Sequence, residues 1–165
     1  MPITELPYGL PGKVYRSPMP YSVFDLDKST FAEFREKGID TVLMLVDDEE
    51  ALQHASHDLR SLYTGAGMEV IQFPINDHDI PPEEDKDGLK KMLEEALARV
   101  MAGHHLVIHC YAGIGRTGMF AALLAQMALD CPPEDSIAWV RDYVNGAIET
   151  TEQHQYVLNF YNQHK

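Results

Sequence analysis

The chain has 165 residues, enough for one domain with its own core, and its apolar fraction of 45% is that of an ordinary folded globular protein. A formal charge of −13 argues against nucleic acid and against anionic membrane surfaces, because both are met with Lys and Arg. Any phosphate site must therefore be a local positive focus inside a negative field.

The first dozen residues are rich in Pro and Gly and read as an irregular arm, and residues 13–16 as a short edge strand. Residues 31–37 have helical spacing and stop at Gly38. Residues 39–46, Ile-Asp-Thr-Val-Leu-Met-Leu-Val, form a run of the kind buried on both faces of a sheet. A helix is predicted over 49–63, with Leu52, Ala55, Leu59 and Leu62 on one face, ended by Gly65 and Gly67. Residues 68–73 read as a second strand and 74–82 as a polar loop. A long helix over 83–101 turns Leu89, Met92, Leu93, Ala96, Leu97 and Val100 inward, and a third buried strand follows over 105–109. Further helices are expected over 117–129, 134–144 and 150–163, with Pro132-Pro133 breaking the first. The alternation predicts a single α/β domain over residues 1–165, with a mostly parallel central sheet flanked by helices. Ligands in such sheets sit at the carboxyl ends of strands, which singles out the loop after residues 105–109.

The N-terminus lacks the basic and apolar regions of a signal peptide. No apolar run reaches the roughly 20 residues of a membrane span. Two cysteines, Cys110 and Cys131, are too few for a disulfide scaffold. The expectation is a cytoplasmic monomer with reduced thiols and no membrane partner.

Residues 109–118 read His-Cys-Tyr-Ala-Gly-Ile-Gly-Arg-Thr-Gly. A loop of this kind can turn its backbone N–H groups inward as an anion nest. Gly113 and Gly115 permit the dihedrals and the close approach this needs. A helix starting near Thr117 aims its positive end at the same point. Arg116 can close the cradle with a planar fork on two phosphate oxygens. The phosphate-binding residues are then Tyr111, Ala112, Gly113, Ile114, Gly115 and Arg116, and their field favours a Cys110 thiolate as nucleophile toward phosphorus. Gly113, Gly115 and Gly118 also satisfy a dinucleotide-binding fingerprint, but the acidic residue expected about 20 residues on, after a second strand, is replaced here by Pro132-Pro133 and a helix.

His-Cys-x-x-Gly-x-x-Arg-Thr-Gly resembles the signature of the protein tyrosine phosphatase superfamily, and the short chain resembles its small atypical dual-specificity branch. Pro74-Ile-Asn-Asp77 is similar to that branch's shortened general-acid loop. Gly146-Ala-Ile-Glu-Thr150 followed by Gln153 is similar to its late water-positioning segment. The N-terminal third matches loosely, through residues 11–16 and the strand near Val42. The resemblance implies a cysteine-phosphatase fold that needs no cofactor and no metal. It implies a phosphocysteine intermediate on Cys110, with Asp77 as general acid and Asp79 as its rival. Thr117 would stabilise the departing thiolate, although a hydroxyl there also suits a helix start. Glu149, where the commonest pattern has Gln, would orient the hydrolytic water or accept its proton; a surface carboxylate is the alternative. Gln153 matches the family's second glutamine and also completes a capping box with Thr150. His109 would order the loop and support the thiolate, or serve as a satisfied core histidine.

Cys131 is too far from Cys110 for a disulfide, since a helix over 117–129 separates them by roughly 20 Å. The pairs His54/His57 and His104/His105 lack the companions of a metal site. The resemblance implies that a lipid-phosphate enzyme would carry Lys between Cys110 and Arg116, as the superfamily's phosphoinositide phosphatases do; the absence of Lys there, with the acidic charge, points away from lipid phosphates. It favours phosphorylated proteins or peptides as partners, with phosphate or vanadate-type anions in the loop and no nucleic acid. The function expected is hydrolysis of phosphotyrosine, and of phosphoserine or phosphothreonine if the cleft is shallow. The alternatives are a catalytically weak phospho-binding module and a thiol enzyme of sulfur transfer or arsenate reduction.

Overall fold

The computed structural model describes residues 3–164; Met1 and Pro2 of the expected arm lie outside them. Five strands form one sheet in the order β1-β2-β5-β3-β4. They are β1 (Thr4–Leu6), β2 (Val14–Ser17), β3 (Thr41–Met44), β4 (Glu69–Gln72) and β5 (Leu106–His109). All neighbours run parallel except β1, which pairs antiparallel with β2. Two expectations are corrected here. Part of the irregular arm is the strand β1, and the segment expected at the edge is β2, which β1 covers and β5 flanks. Every residue of β2, β3 and β5 is buried, as parallel strands covered on both faces require.

The helices are α1 (Thr30–Glu36), α2 (Asp48–Ala55), α3 (Leu59–Gly65), α4 (Lys86–Met101), α5 (Gly115–Leu129), α6 (Pro133–Tyr143) and α7 (Thr151–His164). The single helix expected over 49–63 is two. Ser56 ends α2 in the left-handed conformation at φ 55°, and the Asp58 carboxylate restarts the chain by accepting from Ser61 N–H. The break removes Leu52 from the buried face, and it is 59% exposed. The start of the helix expected at Glu83 is a 3-10 turn (Glu83–Asp85) that leads into α4.

Helix α5 is buried on every side from Gly115 to Gln126, which explains why its sequence shows no polar face. It packs against α4, α6 and α7, and Tyr8 fixes the N-terminal segment to it by donating to the Ala121 carbonyl at 2.6 Å. The carboxyl ends of β2, β3, β4 and β5 all open toward the loop that joins β5 to α5. Arg16 lies on β2, α2 follows β3, the segment 73–79 follows β4, and Cys110 follows β5.

Candidate active site

The loop after β5 is held open by its carbonyl groups. Tyr111 C=O accepts from Met19 N–H at 2.9 Å, and Ile114 C=O from Ile148 N–H at 3.2 Å. The carbonyls of Ala112 and Gly113 accept from the Arg16 guanidinium, both at 3.0 Å. A planar trans peptide points its N–H opposite to its C=O. Four carbonyls drawn outward therefore turn the N–H groups of Ala112, Gly113, Ile114 and Gly115 into the loop. Gly113 sits at φ 79°, and a Cβ there would overlap Arg16 and the Ser17 carbonyl; this is the glycine the curvature cannot do without.

Arg16 is 1% exposed and lies under the loop. Burial lowers it to about 10, and the Cys110 charge opposes that drop. The sequence reading missed this residue, which a short strand and a lone Arg do not advertise. It adds a buried cation to the loop beyond the helix α5 dipole.

Cys110 is 2% exposed. Its Sγ accepts from Thr117 Oγ1 at 3.1 Å. Arg116 is 1% exposed and reaches across to Glu50 with a bidentate pair, Nη1 to Oε1 at 3.0 Å and Nη2 to Oε2 at 2.8 Å. Its Nη1 also donates to the Ile75 carbonyl at 2.8 Å, and Nη2 lies 3.2 Å from Asp77 Oδ1. Burial works against this charge, yet the Glu50 hydrogen bonds, with the charges of Cys110, Glu50 and Asp77, hold it more firmly than water does. Arg116 Nε is buried and finds no hydrogen-bond partner among the described residues. A buried N–H without an acceptor costs about 1–3 kcal/mol, so this donor is suited to an oxygen brought by an anion. Glu50 was also missed, because an acid in the first turn of a helix reads as a solvated face or a dipole partner.

The expected late segment does reach the loop. A Cβ on Gly115 would overlap the Glu149 carboxylate, so Glu149 lies against the backbone of the cradle. Gln153 is fully buried and uses both ends of its amide. Oε1 accepts from Glu149 N–H at 3.0 Å and Thr150 N–H at 3.2 Å, while Nε2 donates to the Asp79 carbonyl at 3.1 Å. Thr150 Oγ1 accepts from Gln153 N–H, completing the capping box. Gln153 thus ties the Glu149 segment to the Asp77 loop. Asp79 is turned to its own chain, accepting from Ile80 N–H at 2.8 Å.

His109 is buried between two partners. Nδ1 lies 3.0 Å from the Cys110 carbonyl and Nε2 2.8 Å from the Tyr63 hydroxyl. A carbonyl can only accept, so Nδ1 carries the proton and Nε2 accepts from Tyr63. His109 therefore steadies the backbone of Cys110, whereas the sulfur takes its hydrogen bond from Thr117. Burial lowers His109 from 6.5 to about 4. As pH falls, the unfolded chain takes up this proton first. The stability from burying a neutral ring is whole above about pH 6.5 and is lost between there and about pH 4. At about 1.4 kcal/mol per pKa unit this is about 3 kcal/mol. Urea midpoints should show the stability gap between wild type and His109→Asn shrinking by that amount from pH 7 to pH 4. Parallel curves would mean that the folded ring takes up its proton as readily as the unfolded one.

His54 and His57 stack on aromatic rings: His54 on Tyr111 at 3.9 Å between centroids and His57 on Tyr21 at 4.1 Å. Among the described residues no three His, Cys, Asp or Glu side chains are grouped to hold a metal ion. No helix among them is long and apolar enough to cross a membrane.

Residues 21–128 match the family model described as "Polymorphic toxin system, DSP-PTPase phosphatase". The chain belongs to this family. The match takes in Asp77, Cys110 and Arg116 and ends before Glu149. Cyclin-dependent kinase inhibitor 3 of Mus musculus is 29% identical over 129 residues, 78% of this chain and 60% of that protein. The chain thus spans about 60% of the length of the curated relatives it matches first. Among solved structures, kinase associated phosphatase with its catalytic-site cysteine substituted by serine superposes with a TM-score of 0.86. It is 24% identical, and the alignment covers 99% of this chain and 96% of that one. Tk-PTP in the active form superposes at 0.74, with 26% identity and 98% of both chains covered. These alignments extend over 98–99% of the DSP-PTPase chain, and so take in the elements after residue 128.

Proposed function

We propose that this DSP-PTPase family member hydrolyses phosphate monoesters of protein side chains, phosphotyrosine above all, through a phosphocysteine on Cys110. One observation carries the reading: Cys110 Sγ, held by Thr117, lies in a loop of inward N–H groups whose Arg116 keeps a buried donor unused. In the first step the Cys110 thiolate attacks phosphorus, the bond from phosphorus to the leaving oxygen breaks, and Asp77 gives that oxygen its proton. In the ground state Asp77 is paired with Arg116. A phosphate oxygen arriving at Nη2 competes for that contact, and its negative charge lets the freed carboxyl take up from solvent the proton it then gives the leaving oxygen. In the second step Glu149 takes a proton from water, the water oxygen attacks phosphorus, and the S–P bond breaks. Thr117 donates to the thiolate that returns.

Glu50 is a positioning residue in this scheme, because its bidentate pair fixes the plane of the Arg116 fork. Gln153 is another, keeping the proton donor and the water-handling carboxylate in register through one amide.

Phosphate release from phosphotyrosine and phosphothreonine peptides tests the reading, with phosphotyrosine the better substrate. Release from neither, together with sulfite release from thiosulfate, would replace it with sulfur transfer. The role of Glu149 has its own test. Gly115→Ala should fold, since the colliding atoms are the end of a flexible side chain. It should displace Glu149 and slow the second step, so that p-nitrophenyl phosphate gives a burst of nitrophenol followed by a slow phase. Unchanged steady turnover without a burst would remove Glu149 from the chemistry.

A further inference from the structure

We infer that the groove beside Phe24 receives an arginine or lysine side chain flanking the phosphorylated residue, so that the protein selects basic phosphopeptides. The inference rests on the phosphatase reading of the Cys110 loop.

The segment 18–29 between β2 and α1 is built around a buried acid. The Asp25 carboxylate accepts from Tyr21 N–H at 2.8 Å, Thr30 Oγ1 at 2.8 Å and Thr30 N–H at 3.3 Å. Ser22 Oγ donates to the Met19 carbonyl at 2.7 Å. With its polar groups bound internally, the segment turns apolar side chains to solvent. Leu26 is 83% exposed, Val23 67% and Phe24 40%. Such a patch on an otherwise acidic surface calls for a partner.

The patch is continuous with the catalytic loop. Phe24 meets Tyr111 edge-on at 4.9 Å between centroids, and Tyr111 adjoins Cys110 in the chain. Phe24 also lines a groove of about 250 Å³ with Leu26, Asp27, Ser29 and Glu33. An extended peptide advances about 3.3 Å per residue, so a phosphorylated residue at Cys110 would put a near neighbour in sequence at this groove.

The lining fits one class of side chain. Asp27 is held ionised by the Ser29 hydroxyl and N–H, at 2.6 and 3.2 Å, and Glu33 stands in the first turn of α1. The nearby Lys28 directs its ammonium to the Ser22 carbonyl at 2.7 Å. An aliphatic stem can lie on Phe24 and Leu26 while its cationic head meets the two carboxylates, and the Phe24 ring adds cation–π attraction. An acidic neighbour would face like charge in the same place.

The test uses phosphotyrosine peptides that differ only in Arg, Ala or Glu beside the phosphorylated residue. For wild type, kcat/KM of the Arg peptide should exceed that of the Ala peptide by on the order of three- to tenfold, and the advantage should shrink with added salt. In Asp27→Lys/Glu33→Lys the order should reverse, with p-nitrophenyl phosphate turnover unchanged. Equal values for the three peptides, or an order untouched by the double variant, overturn the inference. So does a dimer that Leu26→Asp breaks while peptide preference is absent, since the patch would then be covered by a second copy. Affinities of the same peptides for Cys110→Ser read the groove separately. Charge-dependent binding without wild-type turnover would sink the catalytic reading and leave the groove standing.

Discussion

Cys110→Ser should lower phosphate release by on the order of 10⁴ or more while vanadate and phosphopeptides still bind. The loss follows from the nucleophile. A serine hydroxyl at this position has no base beside it to take its proton: Thr117 Oγ1 donates toward the sulfur, and the His109 ring spends both nitrogens on the Cys110 carbonyl and Tyr63. The retained binding follows from the cradle. Its N–H groups are aimed by carbonyl contacts to Arg16, Met19 and Ile148, and Arg116 is aimed by Glu50. None of these contacts uses the sulfur. Turnover and vanadate titration on one preparation separate the two effects. Loss of both would mean that the sulfur is needed to build the loop.

Asp77→Asn should cost about 10²–10⁴ in kcat on peptides with poor leaving groups, and far less on p-nitrophenyl phosphate, whose leaving oxygen needs little help from a proton. The asparagine keeps the shape of the side chain and removes the proton it would give. Asp79→Asn should change kcat little: both carboxylates accept from the next N–H in the chain, but Asp77 Oδ1 also lies 3.2 Å from Arg116 Nη2, whereas Asp79 is tied to the site through its backbone carbonyl and Gln153. Leaving-group series for the two variants decide between them. A flat response for Asp77→Asn with a steep one for Asp79→Asn would exchange their roles.

The parts that were legible in the sequence are those whose signal is local. Residues 109–118 carry their own turn chemistry, and the apolar runs of β3 and β5 are long enough to announce buried parallel strands. The Thr150-x-x-Gln153 box could be read because both partners lie within one turn. What escaped depends on distant chain. Strand β1 is three residues long and becomes a strand only because β2 offers it an edge. The break at Ser56 hides in a sequence whose Leu52, Leu59 and Leu62 keep helical spacing, and only the left-handed Ser56 and the Asp58 cap reveal it. Arg16 sits 97 residues from the Gly113 carbonyl it holds, and Glu50 66 residues from the arginine it aims. Each is ordinary where it stands in the chain, and the sheet order alone brings both to one loop.

The central claim is covalent, and trapping tests it most directly. Acid-quenched single turnovers of Glu149→Gln with a labelled phosphotyrosine peptide, followed by peptide mapping, should find phosphate on the Cys110 peptide at a time when the dephosphorylated product has already formed. Dephosphorylated product accumulating with no label on Cys110, or label on another residue, would contradict the phosphocysteine account.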